Sequence, residues 1–260
     1  MRDWALLIEY DGGPFAGWQR QEGVLSVQQV LEEAATRISG LPAPSFVAGR
    51  TDAGVHAAGQ VAMLALPDEL DARRVRDALN FHMKPHPVVV VQAAPAKPGW
   101  NPRFSATGRS YRYHILNRRS RPALLAGRVW HVPHPVNVDA MREAAAHLLG
   151  RHDFTSFRAA ACQANSPLRT LDRLDVTGHG DMIEVAAEAR SFLHHQVRTM
   201  VGTLAQIGLG RWRPADMATI LAARDRARAG PNAPPDGLSL VRVRYDFDPF
   251  NEFPLAAGCL

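Results

Sequence analysis

Residues 94–102 read APAKPGWNP, three prolines and a glycine in nine positions. Such a stretch belongs to neither a helix nor an inner strand, because proline lacks the backbone donor both need. On its N-terminal side, Trp4 to Asp11 reads as a strand running into Gly-Gly, and Ser26 to Ile38 as a helix. In that helix Val27, Val30, Leu31, Ala34 and Ile38 share one face, Ser26 and Gln29 match a capping box, and Gly40 stands where it ends. Strands are expected at 47–50 and 60–66, a helix over 71–83, and a buried strand in VVVVQAA at 88–94. On its C-terminal side the pattern begins again. RSYRYHILN at 109–117 sets Tyr111, Tyr113 and Ile115 against Arg112 and His114. A helix over 138–149, a hairpin of 170–177 with 182–189, helices from Leu193 to Leu209 and Pro214 to Arg228, and a strand at 239–246 complete the reading. Two halves that each mix strands with helices define an α+β protein, with lobes at 1–104 and 105–260.

Composition narrows the classes of function. The chain has 260 residues, 46 % of them hydrophobic and 21 % charged, with no apolar run long enough to span a membrane. MRDWALLIEYDGG reads as a first strand rather than a signal peptide, so a cytoplasmic location is expected. Cys162 and Cys259 have no CxxC spacing, and the eleven histidines form no HExxH pattern, so neither a disulfide framework nor a catalytic metal is predicted. The net charge of +5 is carried by 28 arginines and only 2 lysines, and no Asp or Glu occurs from Ala78 to Val138. A long acid-free tract containing nine cations suits a polyanion, and arginine adds bidentate phosphate contacts and stacking on bases.

AGRTDAGVHA at 48–57 holds one carboxylate between glycines and beside Arg50. Asp before Ala-Gly is ordinary turn chemistry. It is also how an ionised carboxylate is presented to a nucleotide, as nucleophile or general base. Farther on, Arg198 lies at the edge of the apolar stripe of the 193–209 helix, four residues after His194. Spacing alone leaves two readings for it: an arginine whose stem covers core, or a guanidinium held for an anion. A glycosidase would need a second paired acid, and Glu9, Asp11 and Glu22 lie in no such pair. A non-catalytic module of two RRM-like lobes would need an RNP-type aromatic pattern, which the sequence lacks.

GRTDAGVHA resembles the signature of the TruA family of tRNA pseudouridine synthases. The resemblance continues through YDGGPFAGWQRQ at 10–21, SVQQVLEEA at 26–34, WNPRFSATGRSYRYHI at 100–115, GRHDFTSFRA at 150–159, SFLHHQVRTMVGTLAQIGLGRW at 191–212 and APPDGLSLVRVRYD at 233–246. The order and spacing of these blocks are far more specific than any one of them. The resemblance implies a pseudouridine synthase fold, two similar lobes sharing a mixed, mainly antiparallel sheet with a basic central cleft. It implies a homodimer without cofactor or essential metal, acting on uridines 38, 39 and 40 of the tRNA anticodon arm. By position, Asp52 matches the catalytic aspartate, Tyr111 the tyrosine that stacks on the target base, and Arg198 the arginine paired with the aspartate. Arg50 matches the residue that enters the RNA stack as the base flips out.

Overall fold

A computed structural model of the chain describes residues 1–250. It falls into two compact units, Met1–Thr107 joined by the chain from Leu240 on, and Gly108–Ser239. Both are α+β, and strand pairing is mixed and mainly antiparallel.

The first unit contains β1 (Arg2–Tyr10), α1 (Val27–Ser39), β2 (Phe46–Val47), β3 (His56–Leu66), α2 (Ala72–His82) and β4 (Val88–Pro95). β1 is the inner strand, antiparallel to β3 on one side and β4 on the other. Trp4, Leu6, Ile8, Leu64 and Leu66 are fully buried, under the apolar faces of α1 and α2. α1 begins and ends as its sequence predicts. The Ser26 side chain accepts from Gln29 N, and Gly40 closes the helix in the left-handed conformation at φ 70°. The capping box is only half made, since the Gln29 side chain bonds Glu33 instead of reaching back.

VVVVQAA departs from its expected burial. β4 is an edge strand with α2 packed on it, and its burial alternates: Val88 and Val90 are buried while Val89 is exposed. Asn80 of α2 pins the strand by donating to Val90 O at 2.9 Å and accepting from Val90 N at 2.7 Å. The strand expected at 47–50 shrinks to β2, because the chain turns away at Gly49 toward the Asp52 loop.

The second unit contains β5 (Ala106–Leu116), β6 (Trp130–His131), α3 (Val138–Ala146), β7 (Gly150–Asp153), β8 (Leu168–His179), β9 (Met182–Ala189), α4 (Gln196–Gly208) and α5 (Asp216–Ala223). β10 (Leu238–Tyr245) carries the chain back toward the first unit. β5, β9, β8 and β7 pair in that order, all antiparallel, and β6 lies parallel to the end of β5. α3 packs against α4, and Met141 of the one and Met200, Val201 and Leu204 of the other are all fully buried.

α3 ends at Ala146 rather than Leu149, and two further helices are shorter than periodicity predicts, for tertiary reasons. α4 begins at Gln196 rather than Leu193, because His195 takes a left-handed conformation at φ 63°. Leu193 is still buried, and its amide is satisfied by the Gln196 side chain at 2.8 Å. The helix expected over 214–228 stops at Ala223. Ser156, buried and far away in sequence, donates to Ile220 O at 2.6 Å and accepts from Asp225 N at 2.9 Å, while Arg224 turns left-handed at φ 49°. Among the described residues no helix is long and apolar enough to cross a membrane. Cys162 is a free thiol, and Cys259 lies outside the described residues.

Candidate active site

The two units carry different parts of the predicted constellation. Asp52 and Arg50 belong to the first, Tyr111 and Arg198 to the second.

Asp52 stands on the loop that leads into β3. Its carbonyl accepts from Val55 N at 3.1 Å, closing a turn in which Gly54 has φ 77°. The turn chemistry read from Asp-Ala-Gly is therefore present. What makes the turn a fixed platform comes from another block, YDGGPFAGW. A Cβ on Gly12 would come within 2.1 Å of Val55 O, and one on Gly17 within 2.7 Å of Thr51 O, so glycine alone lets the two loops lie backbone against backbone. Across this contact Trp18 N donates to Thr51 O at 3.1 Å, Gly54 N to Phe15 O at 3.3 Å, and Gly12 N to His56 Nδ1 at 3.0 Å.

Beneath the loop lies a buried polar network. Tyr10 Oη and Thr51 Oγ1 share a hydrogen bond of 2.7 Å, and Gln60 Nε2 donates to Gly49 O at 2.7 Å and to Tyr10 Oη at 3.4 Å. Burial pushes the Tyr10 phenol up to about 12, against the opposing hydrogen bonds from Thr51 and Gln60. Tyr10 therefore stays neutral, holding the residue next to Asp52. The Asp52 side chain itself is half-buried, and the Arg50 side chain is exposed.

In the second unit Tyr111 sits on β5, paired across to Ala187 of β9. Its neighbours along the same face, Tyr113 and Ile115, are buried, whereas Tyr111 is half-exposed and meets Phe192 edge to face at 5.2 Å. An aromatic ring held this way keeps its orientation while leaving surface for a base. Arg198 is half-buried in the first turn of α4, and its Nε donates to Ala233 O at 2.8 Å while Ala233 N donates to Arg198 O at 3.0 Å. Tyr113 Oη donates to the next carbonyl, Pro234 O, at 2.8 Å. Burial drives the Tyr113 phenol far above the usual tyrosine range, with Arg198 nearby opposing the shift and Asp236 adding to it. His194, expected on the helix one turn before Arg198, is instead exposed ahead of it, because the left-handed His195 redirects the chain. The first turn of α4 has no side-chain cap and carries Arg198, which suits a negative group.

Sequence reasoning missed Tyr10, Thr51 and Gln60, as well as the segment 230–234 that holds Arg198. The glycines of YDGGPFAGW were the available signal for the first group. Nothing local marks the second.

The α+β fold with its mixed, mainly antiparallel strand pairing is that of a class of enzymes, the pseudouridine synthases. A family model described as tRNA pseudouridine synthase matches residues 6–105 and 144–246. Proteins named tRNA pseudouridine synthase A are similar along nearly all of the chain. That of Acidiphilium cryptum is 69 % identical over 252 residues, covering 96 % of this chain and 99 % of the relative. That of Gluconobacter oxydans is 55 % identical over 251 residues (95 % and 91 %), and that of Paramagnetospirillum magneticum 56 % over 245 residues (94 % and 96 %). The chain belongs to the tRNA pseudouridine synthase A (TruA) family, whose members are isomerases.

Proposed function

We propose that this protein converts uridine to pseudouridine at positions 38, 39 and 40 of the tRNA anticodon stem-loop, with Asp52 as the catalytic carboxylate. The observation that carries the reading is the Asp52 loop, a half-buried carboxylate clamped between β3 and the YDGGPFAGW loop in a chain of this family. The reaction breaks the N1–C1′ bond, turns the detached uracil, joins C5 to C1′ and releases the C5 proton to solvent. It consumes no redox equivalent and transfers no phosphoryl group.

A base stacked inside an A-form stem is out of reach of any side chain, so the target uridine is flipped into the site. Tyr111 supplies the stacking face for the flipped base. Arg198 is the counter-charge for the aspartate, and Arg50, exposed next to the loop, fills the vacated stack. Three routes begin from the same carboxylate: attack at C1′, attack at C6, or removal of the C2′ proton. The acid-free tract supplies positive charge for the RNA backbone within a basic cleft, and the working form is a cytoplasmic homodimer.

The test is tritium release from tRNA carrying C5-labelled uridine. Asp52→Ala abolishes release while tRNA binding is retained, and Arg198→Ala lowers it far more than it lowers thermal stability. Pseudouridine at 38–40 disappears from tRNA of cells lacking the gene. Release by Asp52→Ala at the wild-type rate would remove the assignment.

A further inference from the structure

The segment 230–234 lies along α4 like a strap. A Cβ on Gly202 would fall 1.8 Å from Pro231 O, so the strap and the helix touch backbone to backbone. Gly230 N donates to Thr203 Oγ1 at 3.0 Å at one end, and the paired Arg198–Ala233 bonds hold the other. Between them stands Asn232, whose amide oxygen and nitrogen both have partners. Its Oδ1 accepts from Thr199 Oγ1 at 2.6 Å and from Arg226 Nη2 at 3.3 Å, and its Nδ2 lies 3.1 Å from His195 Nδ1.

The donor and acceptor inventory resolves this chain in one direction. A guanidinium can only donate, so the amide atom facing Arg226 is the oxygen, and the atom facing His195 is the NH2. An NH2 group can only donate, so His195 Nδ1 accepts. The imidazole is then neutral, with its proton on Nε2. His195 is also one of the two described non-glycine residues at positive φ, a conformation that ordinary side chains rarely occupy and that clusters at functional sites. It immediately precedes α4, three residues before Arg198, and its ring lies against that of His194 at 4.0 Å.

We propose that Asn232 is a positioning residue that holds His195 as the Nε2–H tautomer, and that the reaction depends on that proton-donating edge at the start of α4. The proposal rests on the pseudouridine synthase reading above and adds a residue to its machinery. Arg226 sets the amide, the amide sets the ring, and the strap that orients Arg198 orients His195 with it.

Asn232→Asp is the informative variant. It keeps an acceptor for Thr199 and Arg226 and a side chain of the same shape, but it offers His195 an acceptor where there was a donor. Full-length protein with 15N-labelled histidine, followed by long-range 1H–15N correlation of the ring nitrogens at pH 8, reports the tautomer directly. Wild type shows a protonated Nε2 and a bare Nδ1 for His195, and Asn232→Asp moves the proton to Nδ1. In tritium-release kinetics Asn232→Asp lowers kcat by about a hundredfold, the small end of what a positioned proton donor contributes, with KM for tRNA changed less than about twofold. In a His195→Ala background the same substitution has no further effect on kcat, because the residue through which it acts is gone. A wild-type ring protonated at Nδ1, an unchanged kcat in Asn232→Asp, or an equal loss in the His195→Ala background overturns the proposal. Absence of turnover by the wild-type protein overturns the functional reading and this proposal with it, whereas normal turnover with any of those three results overturns this proposal alone.

Discussion

Each unit uses one buried tyrosine hydroxyl to steady its functional element, and the two do so differently. In the first, Tyr10 Oη meets side chains, Thr51 Oγ1 and Gln60 Nε2, in a closed network under the Asp52 loop. In the second, Tyr113 Oη donates to one backbone carbonyl, Pro234 O, on the strap that holds Arg198. The difference follows from what must be held. Asp52 lies on a loop with no helical or strand ladder of its own, so its backbone geometry has to be imposed from outside. Arg198 lies on a helix whose hydrogen bonds already fix its backbone, so only the side chain needs direction.

The largest effect expected from this contrast is at Gly12. A methyl group there meets a backbone carbonyl 2.1 Å away that no rotamer change can move, so Gly12→Ala costs about 3 kcal/mol, the upper part of the range for overpacking. Because the displaced segment carries Asp52, tritium release falls further than the loss of stability in urea accounts for. Loss of stability with activity intact in the folded fraction would show that the loop keeps its geometry without the glycine contact.

The tyrosines come next. Tyr10→Phe leaves Thr51 and Gln60 groups in a buried site with fewer partners and destabilises by about 2 kcal/mol. Tyr113→Phe leaves a single carbonyl short of one donor and costs about 1 kcal/mol. Urea titrations of the two variants decide the order, and a larger cost for Tyr113→Phe would break the comparison.

Alkaline pH gives the most specific test. Both phenols are held neutral by burial, Tyr10 with its pKa raised to about 12 and Tyr113 beyond the usual range. Raised folded-state values mean that the stabilisation is complete below the unfolded tyrosine pKa near 10 and is lost as pH rises above it. At pH 11 each tyrosine has given up about 1.4 kcal/mol relative to neutral pH, and for Tyr10 the loss levels off above about 12. Denaturation curves between pH 9 and 11 therefore flatten by one such increment in Tyr10→Phe and by one in Tyr113→Phe.

How much of this was legible in the sequence depends on the range of the interaction. α1 could be read nearly to the residue, because Ser26, its apolar face and Gly40 act within a few positions. RSYRYHILN was equally clear as a strand, since alternation needs only its neighbours. α5 was overread, because what stops it is the hydroxyl of Ser156, some 65 positions away in the chain, reaching Ile220 O and Asp225 N. The start of α4 was misplaced by three residues because no propensity scale foresees a left-handed histidine held in place by Asn232.

For function, the sequence alone determined the chemistry available and the family that owns it: one carboxylate in GRTDAGVHA, blocks in fixed order, and an arginine-rich tract without acids. These properties are composition and order, which survive without coordinates. Only the tertiary structure decided how the parts are held: Gly12 and Gly17 pressed against the Asp52 loop, Tyr10 beneath it, and the 230–234 strap along α4. Such contacts join residues tens of positions apart, largely through backbone groups that every residue shares, so no local pattern marks them before the chain has folded.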